Sequence, residues 1–267
     1  MRGVVAGIRK RLDHLLVERG LVESRSRAQG LILAGAVRVG GEVVTKAGSR
    51  ISPDEPLTVE QASPFVSRAG EKLSSALDAF EIDVGGRDCL DAGASTGGFT
   101  DALLKRGANR VISADVGYGQ LDWTLRNDLR VTVMERTNVR KLSGEELPYE
   151  PDFLVADLSF ISLFVALERL LRTTLSIQEA VLLVKPQFEA GPELVGRGGL
   201  VRDTKVHVNV IRKTTEHFAS LGFGAADVMR APVVGRRAGN QEYPLHLLRN
   251  ISIILKEERI RGVVDGG

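Results

Sequence analysis

From residue 88 onward the chain repeats one pattern: a short apolar segment of strand character runs into a charged residue and is followed by a stretch of helical periodicity. The strand candidates are Asp88–Asp91, Arg110–Val116, Arg130–Glu135, Asp152–Asp157 and Ala180–Lys185. Strands joined through helices must lie mostly parallel, in a sheet that the helices cover. The expected fold class is therefore α/β. The candidates end at or beside a charge, among them Asp91, Asp115, Asp157 and Lys185. In an open parallel sheet these ends share one edge, and ligands bind in the crevice outside it. One site can hold all four. The plainer alternative, that the charges mark where strands meet water, accounts for any single one of them.

The front of the chain has a different character. Residues 1–62 carry 10 Lys and Arg against 7 Asp and Glu, although the formal net charge of all 267 residues is only +2. Leu12, Leu15 and Leu16 are spaced for a helix over 11–19, and Leu31, Ile32 and Leu33 for a second helix starting near Ser24. Arg25 and Arg27 fall in the first turn of that second helix, where the dipole disfavours cations by about 0.3–1 kcal/mol. That placement suits a phosphate partner as well as it suits two solvated side chains. Val37–Val44 reads as a hairpin around Gly40-Gly41, and another strand is expected near Leu57–Val59. This order of elements, with Arg25-Ser26-Arg27-Ala28-Gln29 and Val37-Arg38-Val39-Gly40-Gly41, resembles the small alpha-L RNA-binding domain named after ribosomal protein S-four. The resemblance covers about residues 11–62 and implies docking on structured RNA, with Arg11, Arg25, Arg27 and Arg38 as contacts and Arg68 as a further one. Pro64 marks a linker over 63–68, so the expected domains are 1–62 and 69–267.

Other classes are closed off by what the chain lacks. A single cysteine, Cys89, allows neither an internal disulfide nor a cysteine-based zinc site, and it suits a reducing compartment. His14, His207, His217 and His246 have no metal-ligand spacing, so no metal is expected. Apolar runs such as Ala180–Val184 fall far short of the ~18 residues that span a bilayer, and Gly3–Ile8 is too short for a signal-peptide core. A cytoplasmic protein with no membrane partner is expected.

Asp91-Ala92-Gly93-Ala94-Ser95-Thr96-Gly97-Gly98 follows the first strand candidate and precedes a helix over Phe99–Lys105. Its glycines permit a tight turn and close approach of a ligand. The spacing is neither the G-x-G-x-x-G of dinucleotide sites nor a phosphate-binding P-loop, so nicotinamide and ATP both lose ground. Asp115, at the end of the next strand, is placed to accept hydrogen bonds from a ribose diol. An adenosine cofactor without a triphosphate fits best. The combination resembles the class I S-adenosylmethionine methyltransferases, which implies that Asp91, Gly93, Ala94, Ser95, Thr96, Gly97, Gly98 and Phe99 face the methionine part. Asp115 then holds the ribose, Asn138 lies near adenine and Asp157 closes the site. Asn138 also reads as a simple turn cap. Trp123 and Tyr118 are candidates for stacking on a base, with core packing equally open for Trp123.

Methyl transfer from a sulfonium is an in-line displacement in which the protein positions the partners and, for a weak nucleophile, removes a proton. Enzymes acting on exocyclic base amines carry a Pro-Pro-aromatic run after the fourth strand, where this chain has Asp157-Leu158-Ser159-Phe160. Carbon-5 pyrimidine methylation uses a cysteine at the sheet edge, and Cys89 lies inside a strand. What remains is an Asp at the end of the fourth strand and a Lys at the end of the fifth, and a ribose hydroxyl, a very weak acid, is an acceptor that needs such a nearby cation and base. Lys185, held extended by Pro186, can supply the base if partial burial and a second lysine ease loss of its proton. Lys72 and Glu242 complete such a set, although each taken alone reads as a surface residue.

Six motifs in order extend the likeness: Ser67-Arg68-Ala69-Gly70-Glu71-Lys72-Leu73, Asp91 through Asp101, Asp115-Val116-Gly117-Tyr118-Gly119-Gln120-Leu121, Asp157-Leu158-Ser159-Phe160-Ile161-Ser162, Val184-Lys185-Pro186-Gln187-Phe188-Glu189 and Gly239-Asn240-Gln241-Glu242-Tyr243. Over about residues 11–255 the chain resembles the hemolysin A (TlyA) family of ribosomal RNA methyltransferases. That resemblance implies 2′-O-methylation of cytidine in ribosomal RNA or ribosomal subunits, with Lys72, Asp157, Lys185 and Glu242 as the catalytic tetrad. Two rivals stay open: a non-catalytic RNA-binding assembly factor, and a membrane-active cytolysin, for which no amphipathic inserting segment is apparent. The sequence identifies no protein partner and leaves the oligomeric state open.

Overall fold

A computed structural model describes residues 9–33, 35–59, 63–233 and 239–266, and the chain divides into two compact units, Met1–Pro64 and Phe65–Gly267. Residues 65–68, expected as linker, instead pack on the second unit. Val66 N donates to Asp101 Oδ2 at 2.9 Å, and the Phe65 ring lies against Gly70.

The first unit runs β1 (Lys10–Arg11), α1 (Leu12–Glu18), α2 (Arg25–Leu33), β2 (Val37–Val39), β3 (Glu42–Val43), β4 (Arg50–Ile51) and β5 (Leu57–Val59). The two helices and the hairpin follow the spacing of Leu12, Leu16, Ala28 and Ile32, which form the buried core with Val37. Gly40 and Gly41 both have positive φ, +58° and +92°, as a two-residue hairpin turn of this hand requires. Strands β1 and β4, which pair antiparallel, carry no periodicity that a sequence reading can detect over two residues each.

Asp13 is fully buried at the centre of this unit. Its carboxylate accepts from Arg11 Nε and NH2 at 3.0 and 2.9 Å, from Gln29 Nε2 at 2.9 Å and from Arg25 Nε at 3.2 Å. The unfavourable placement of Arg25 in the first turn of α2 is thus answered inside the protein, by a carboxylate. The Arg11 guanidinium holds the Asp13 carboxyl far below the usual carboxylate range, against the opposing effect of burial.

The second unit runs α3 (Ala69–Ala79), β6 (Asp88–Ala92), α4 (Gly98–Lys105), β7 (Arg110–Ala114), α5 (Trp123–Arg126), β8 (Val131–Met134), β9 (Phe153–Ala156), α6 (Leu163–Thr173), β10 (Glu179–Val184), α7 (Pro186–Glu189), α8 (Thr204–Ala219), β11 (Phe223–Val228), β12 (Tyr243–Arg249) and α9 (Glu257–Asp265). Its sheet has the order β8-β7-β6-β9-β10-β12-β11. Strands β8 through β10 are parallel, whereas β12 runs antiparallel to both of its neighbours. The five expected strands are present; β7, β8, β9 and β10 stop one residue short of their terminal charge, whereas β6 extends to Ala92 and keeps Asp91 within the ladder. The reversed β12 and the edge strand β11 are additions that the sequence reading did not name.

Side chains alternate between the faces, as strand geometry requires. Leu90, Ile112, Leu154 and Leu182 pack under Leu167 of α6, Ile211 and Phe218 of α8 and Ile260 of α9. Cys89, Val111, Phe153 and Val181 face Leu73 and Leu77 of α3 and Phe99 and Leu103 of α4. Fully burying each such side chain contributes about 1.5–3 kcal/mol. Ala92 stands in register with both Ala114 and Ala156, so the C-terminal edge is level at the point where the strand order reverses.

Because Asp13 has its carboxyl shifted down in the folded state, its contribution is full above the unfolded value near ~3.9 and fades as pH falls below it. Asp13→Ala is expected to lower the unfolding free energy of the first unit by about 2 kcal/mol at pH 7, the scale of hydrogen bonds to a charged group. Urea titrations of the full chain at pH 7 and pH 3 should show this difference shrinking at the lower pH.

Candidate active site

Chain reversal between β6 and α4 uses left-handed backbone at Gly93 (φ +89°), Ser95 (φ +49°) and Gly97 (φ +94°). Packing as well as conformation excludes side chains here. A Cβ on Gly93 would lie 2.7 Å from Asp157 O, and one on Gly97 would lie 2.3 Å from Leu125 Cδ1. Gly98 meets Gly70 where the first turns of α4 and α3 touch, with a Cβ on Gly98 2.9 Å from Gly70 N. The glycines that the sequence assigns to a ligand therefore also bring the 67–73 motif and the Asp157 turn against the loop. Ala94 is buried, Ser95 and Thr96 are exposed, and the Phe99 side chain belongs to the core.

Asp91, at the end of β6, is wholly buried. Its Oδ2 accepts from Thr100 N at 2.9 Å and Thr100 Oγ1 at 2.7 Å, while its Oδ1 has no partner. Burial pushes its carboxyl up to about 7, with the negative charge of Asp157 adding to the effect against the opposing Thr100 bonds. Thr100, which the sequence reading did not single out, thus orients this carboxylate from α4.

The Asp115 carboxylate accepts from Ser95 N at 2.9 Å and Gly117 N at 2.6 Å, tying the glycine loop to the end of β7. Thr137 N donates to Asp115 O at 2.9 Å and brings the 135–138 turn alongside. Asn138 is exposed, and its Oδ1 accepts from Arg140 N at 3.1 Å, so it does cap a turn. Tyr118 lies beneath the Arg136 guanidinium at 4.3 Å. Trp123 is 75% exposed, which removes core packing as its role: α5 is a single turn, and it buries Leu125 instead.

Two lysine–carboxylate pairs stand at the same sheet edge. Lys185 leaves β10 with φ −119° and ψ 103°, the extended backbone that Pro186 imposes, and its Nζ lies 2.5 Å from Asp157 Oδ1 and 3.1 Å from Ser159 Oγ. Lys72 Nζ, on α3, lies 2.5 Å from Glu242 Oε2. Tyr243 pairs with Val184, so Glu242 and Lys185 are the next residues outward on adjacent antiparallel strands. Lys72, Lys185 and Glu242 are 8%, 7% and 4% exposed, and the surface readings of Lys72 and Glu242 fall away. Cys89 is also buried, and burial pushes its thiol up to about 12, an inert state for a nucleophile. Among the described residues no cluster of His, Cys, Asp and Glu has the makings of a metal site, and no helix is long and apolar enough to cross a membrane.

Of the expected RNA contacts, Arg27, Arg68 and the Asp13-linked Arg11 and Arg25 are exposed; Arg38 is partly buried, and its NH1 donates to Gly41 O at 3.2 Å.

Numbered from β6, the seven strands lie in the order 3-2-1-4-5-7-6 with the seventh reversed, and the glycine loop follows the first of them. This is the sheet of a class I methyltransferase. Residues 65–249 match the FtsJ-like methyltransferase family and residues 10–57 match the S4 domain. The chain is 48% identical over 241 residues to the 16S/23S rRNA (cytidine-2′-O)-methyltransferase TlyA of Mycobacterium tuberculosis, covering 90% of each chain. It is 40% identical to Hemolysin A of Brachyspira hyodysenteriae, over 89% of this chain and 99% of that one. A solved hemolysin-named structure from Streptococcus thermophilus superposes with a TM-score of 0.74 at 36% identity, over 98% of this chain and 96% of the other. The chain belongs to the FtsJ-like methyltransferases and, within them, to the hemolysin A (TlyA) family.

Removing one member of a buried ion pair strands the other charge, at a cost of about 3–5 kcal/mol, whereas apolar replacement of both is often neutral. Glu242→Ala is expected to destabilise the second unit on that scale, and the double variant Lys72→Met/Glu242→Leu to recover most of the loss. Thermal unfolding of the three proteins checks both expectations.

Proposed function

We propose that this chain transfers a methyl group from S-adenosylmethionine to the ribose 2′-hydroxyl of cytidine in ribosomal RNA. The observation that carries this reading is the pairing of Lys185 with Asp157 and of Lys72 with Glu242, all four at one strand edge beside the glycine loop. A ribose hydroxyl is a very weak acid, and this arrangement offers both a cation to polarise it and an amine to take its proton.

The residues present fit S-adenosylmethionine. Asp91 Oδ1 is a buried acceptor with no partner, suited to a cationic amino group, and the Asp115 carboxylate retains lone pairs for a ribose diol. Asp91 and the 93–98 loop would hold the amino-acid end, Asp115 the ribose, and the turn at Asn138 would border the adenine. When bound, this group supplies an electrophilic methyl on a sulfonium. Lys185 accepts the 2′-hydroxyl proton at Nζ, Asp157 orients the amine, and Lys72 supplies a second positive charge that Glu242 holds in place. The S4-like unit would dock the RNA through Arg11, Arg25, Arg27 and Arg38, with Arg68 adding a contact at the start of α3. A cytoplasmic location follows from an rRNA substrate and suits the lone thiol. The name hemolysin attaches to relatives, and nothing among the described residues favours membrane insertion over methyl transfer.

Asp115→Ala is expected to weaken S-adenosylmethionine binding by about 1.5–3 kcal/mol, measured by calorimetry on the full chain. Lys185→Arg keeps the charge but not a usable base, because guanidinium loses its proton only above ~12. Single-turnover methyl transfer should then fall by about 100-fold or more, while cofactor and RNA affinities stay close to wild type. Retained activity in Lys185→Arg would reduce Lys185 to a fixed charge.

A further inference from the structure

The turn after β9 and the segment after β10 interlock beyond the Lys185–Asp157 pair. Lys185 Nζ donates to Ser159 Oγ at 3.1 Å, the rings of Phe160 and Phe188 lie 5.0 Å apart, and Glu189 Oε1 accepts from Leu163 N at 2.7 Å in the first turn of α6. Phe160 has φ +66°, a conformation disfavoured for a bulky side chain, and it is held by ties on both sides of the turn. Ser159 is thereby held beside the amine while remaining exposed.

An ammonium has three N–H bonds in tetrahedral directions. Ser159 Oγ, at 3.1 Å, takes one of them in a hydrogen bond, and Asp157 Oδ1 stands 2.5 Å from Nζ as an ion pair without one. Proton loss costs least at the bond without a protein acceptor. The neutral amine therefore keeps one N–H on Ser159, turns the other toward the Asp157 charge, which repels a lone pair, and carries its lone pair along the remaining direction.

We propose that Ser159 is a positioning residue for methyl transfer, its hydroxyl oxygen holding one amine hydrogen so that the Lys185 lone pair faces the ribose 2′-hydroxyl. The inference rests on Lys185 being the base. In the step it serves, the 2′-O–H bond breaks and its proton becomes the third N–H of Lys185. The electron pair left on oxygen forms the O–C bond as the bond from that carbon to sulfur breaks, with its pair retained on sulfur. Without Ser159 the amine turns more freely about its Cε–Nζ bond, and fewer encounters find the lone pair aligned.

The test is single-turnover methylation of unmodified ribosomal RNA by Ser159→Ala, Ser159→Thr, Ser159→Val and Lys185→Arg, beside equilibrium binding of S-adenosylmethionine and RNA. Ser159→Ala and Ser159→Val are expected to slow the step by about tenfold or more, the equivalent of one hydrogen bond to a charged group. Ser159→Thr, which restores a hydroxyl to the shape of Val, should recover most of the rate, and both affinities should stay at wild type in all three. A wild-type rate in Ser159→Ala beside an inactive Lys185→Arg would overturn the role of Ser159 and leave the base standing. So would a Thr variant as slow as Val, or a loss that appears in affinity and not in rate. An active Lys185→Arg would remove the base and this inference with it.

Discussion

Two lysines and two carboxylates are withdrawn from water at the C-terminal edge of the large sheet, and such charges are tolerated there only because each lies within hydrogen-bonding distance of its opposite. Their desolvation costs several kcal/mol per ion, so the surrounding structure has to hold the geometry closely. It does so from four separate elements: α3 for Lys72, the ends of β9 and β10 for Asp157 and Lys185, and the start of β12 for Glu242. The reversed direction of β12 is what makes the last of these possible, because it brings the beginning of a strand to the edge where the other strands finish.

Glycine serves this arrangement as much as it serves a ligand. Gly93 lets the loop lie against the Asp157 backbone, and Gly70 and Gly98 let two helix starts touch, which draws α3 and its lysine toward the loop. Asp91 and Asp115 then anchor the loop from two adjacent strands, one through Thr100 and the other through the backbone of Ser95 and Gly117. Asp91 sits with its carboxyl raised to about 7 by burial, a state that a cationic partner would reverse.

In the small unit one carboxylate organises three side chains. Asp13 gathers Arg11, Gln29 and Arg25, so two basic residues that would face a phosphate backbone are already oriented by the fold while their side chains remain about half exposed. An arginine held in this way loses less side-chain freedom on meeting RNA than a free one, and still has N–H groups to donate.

The sequence by itself determined the alternation of strand and helix, the placing of Asp91, Asp115, Asp157 and Lys185 on one sheet edge, the glycine loop and the helix–helix–hairpin order of the small unit, because period and turn chemistry are local properties of the chain. Lys72 and Glu242 stand out in the sequence only as candidates to complete the set around Lys185 and through the family resemblance; an isolated helical lysine and an isolated glutamate carry no local sign of burial. Only the tertiary structure decided that these two meet, since they are 170 positions apart and their contact depends on strand order. The same holds for Asp13, which looks like a helix-start residue until its partners converge on it, and for Trp123, whose size argued for the core although its one-turn helix leaves it in water. Ser159 stands two residues from Asp157 within one short motif, yet nothing along the chain distinguishes it from its neighbours. Its relation to Lys185 is a distance across two strands, set by sheet register, and register is a property of pairing and not of either segment alone.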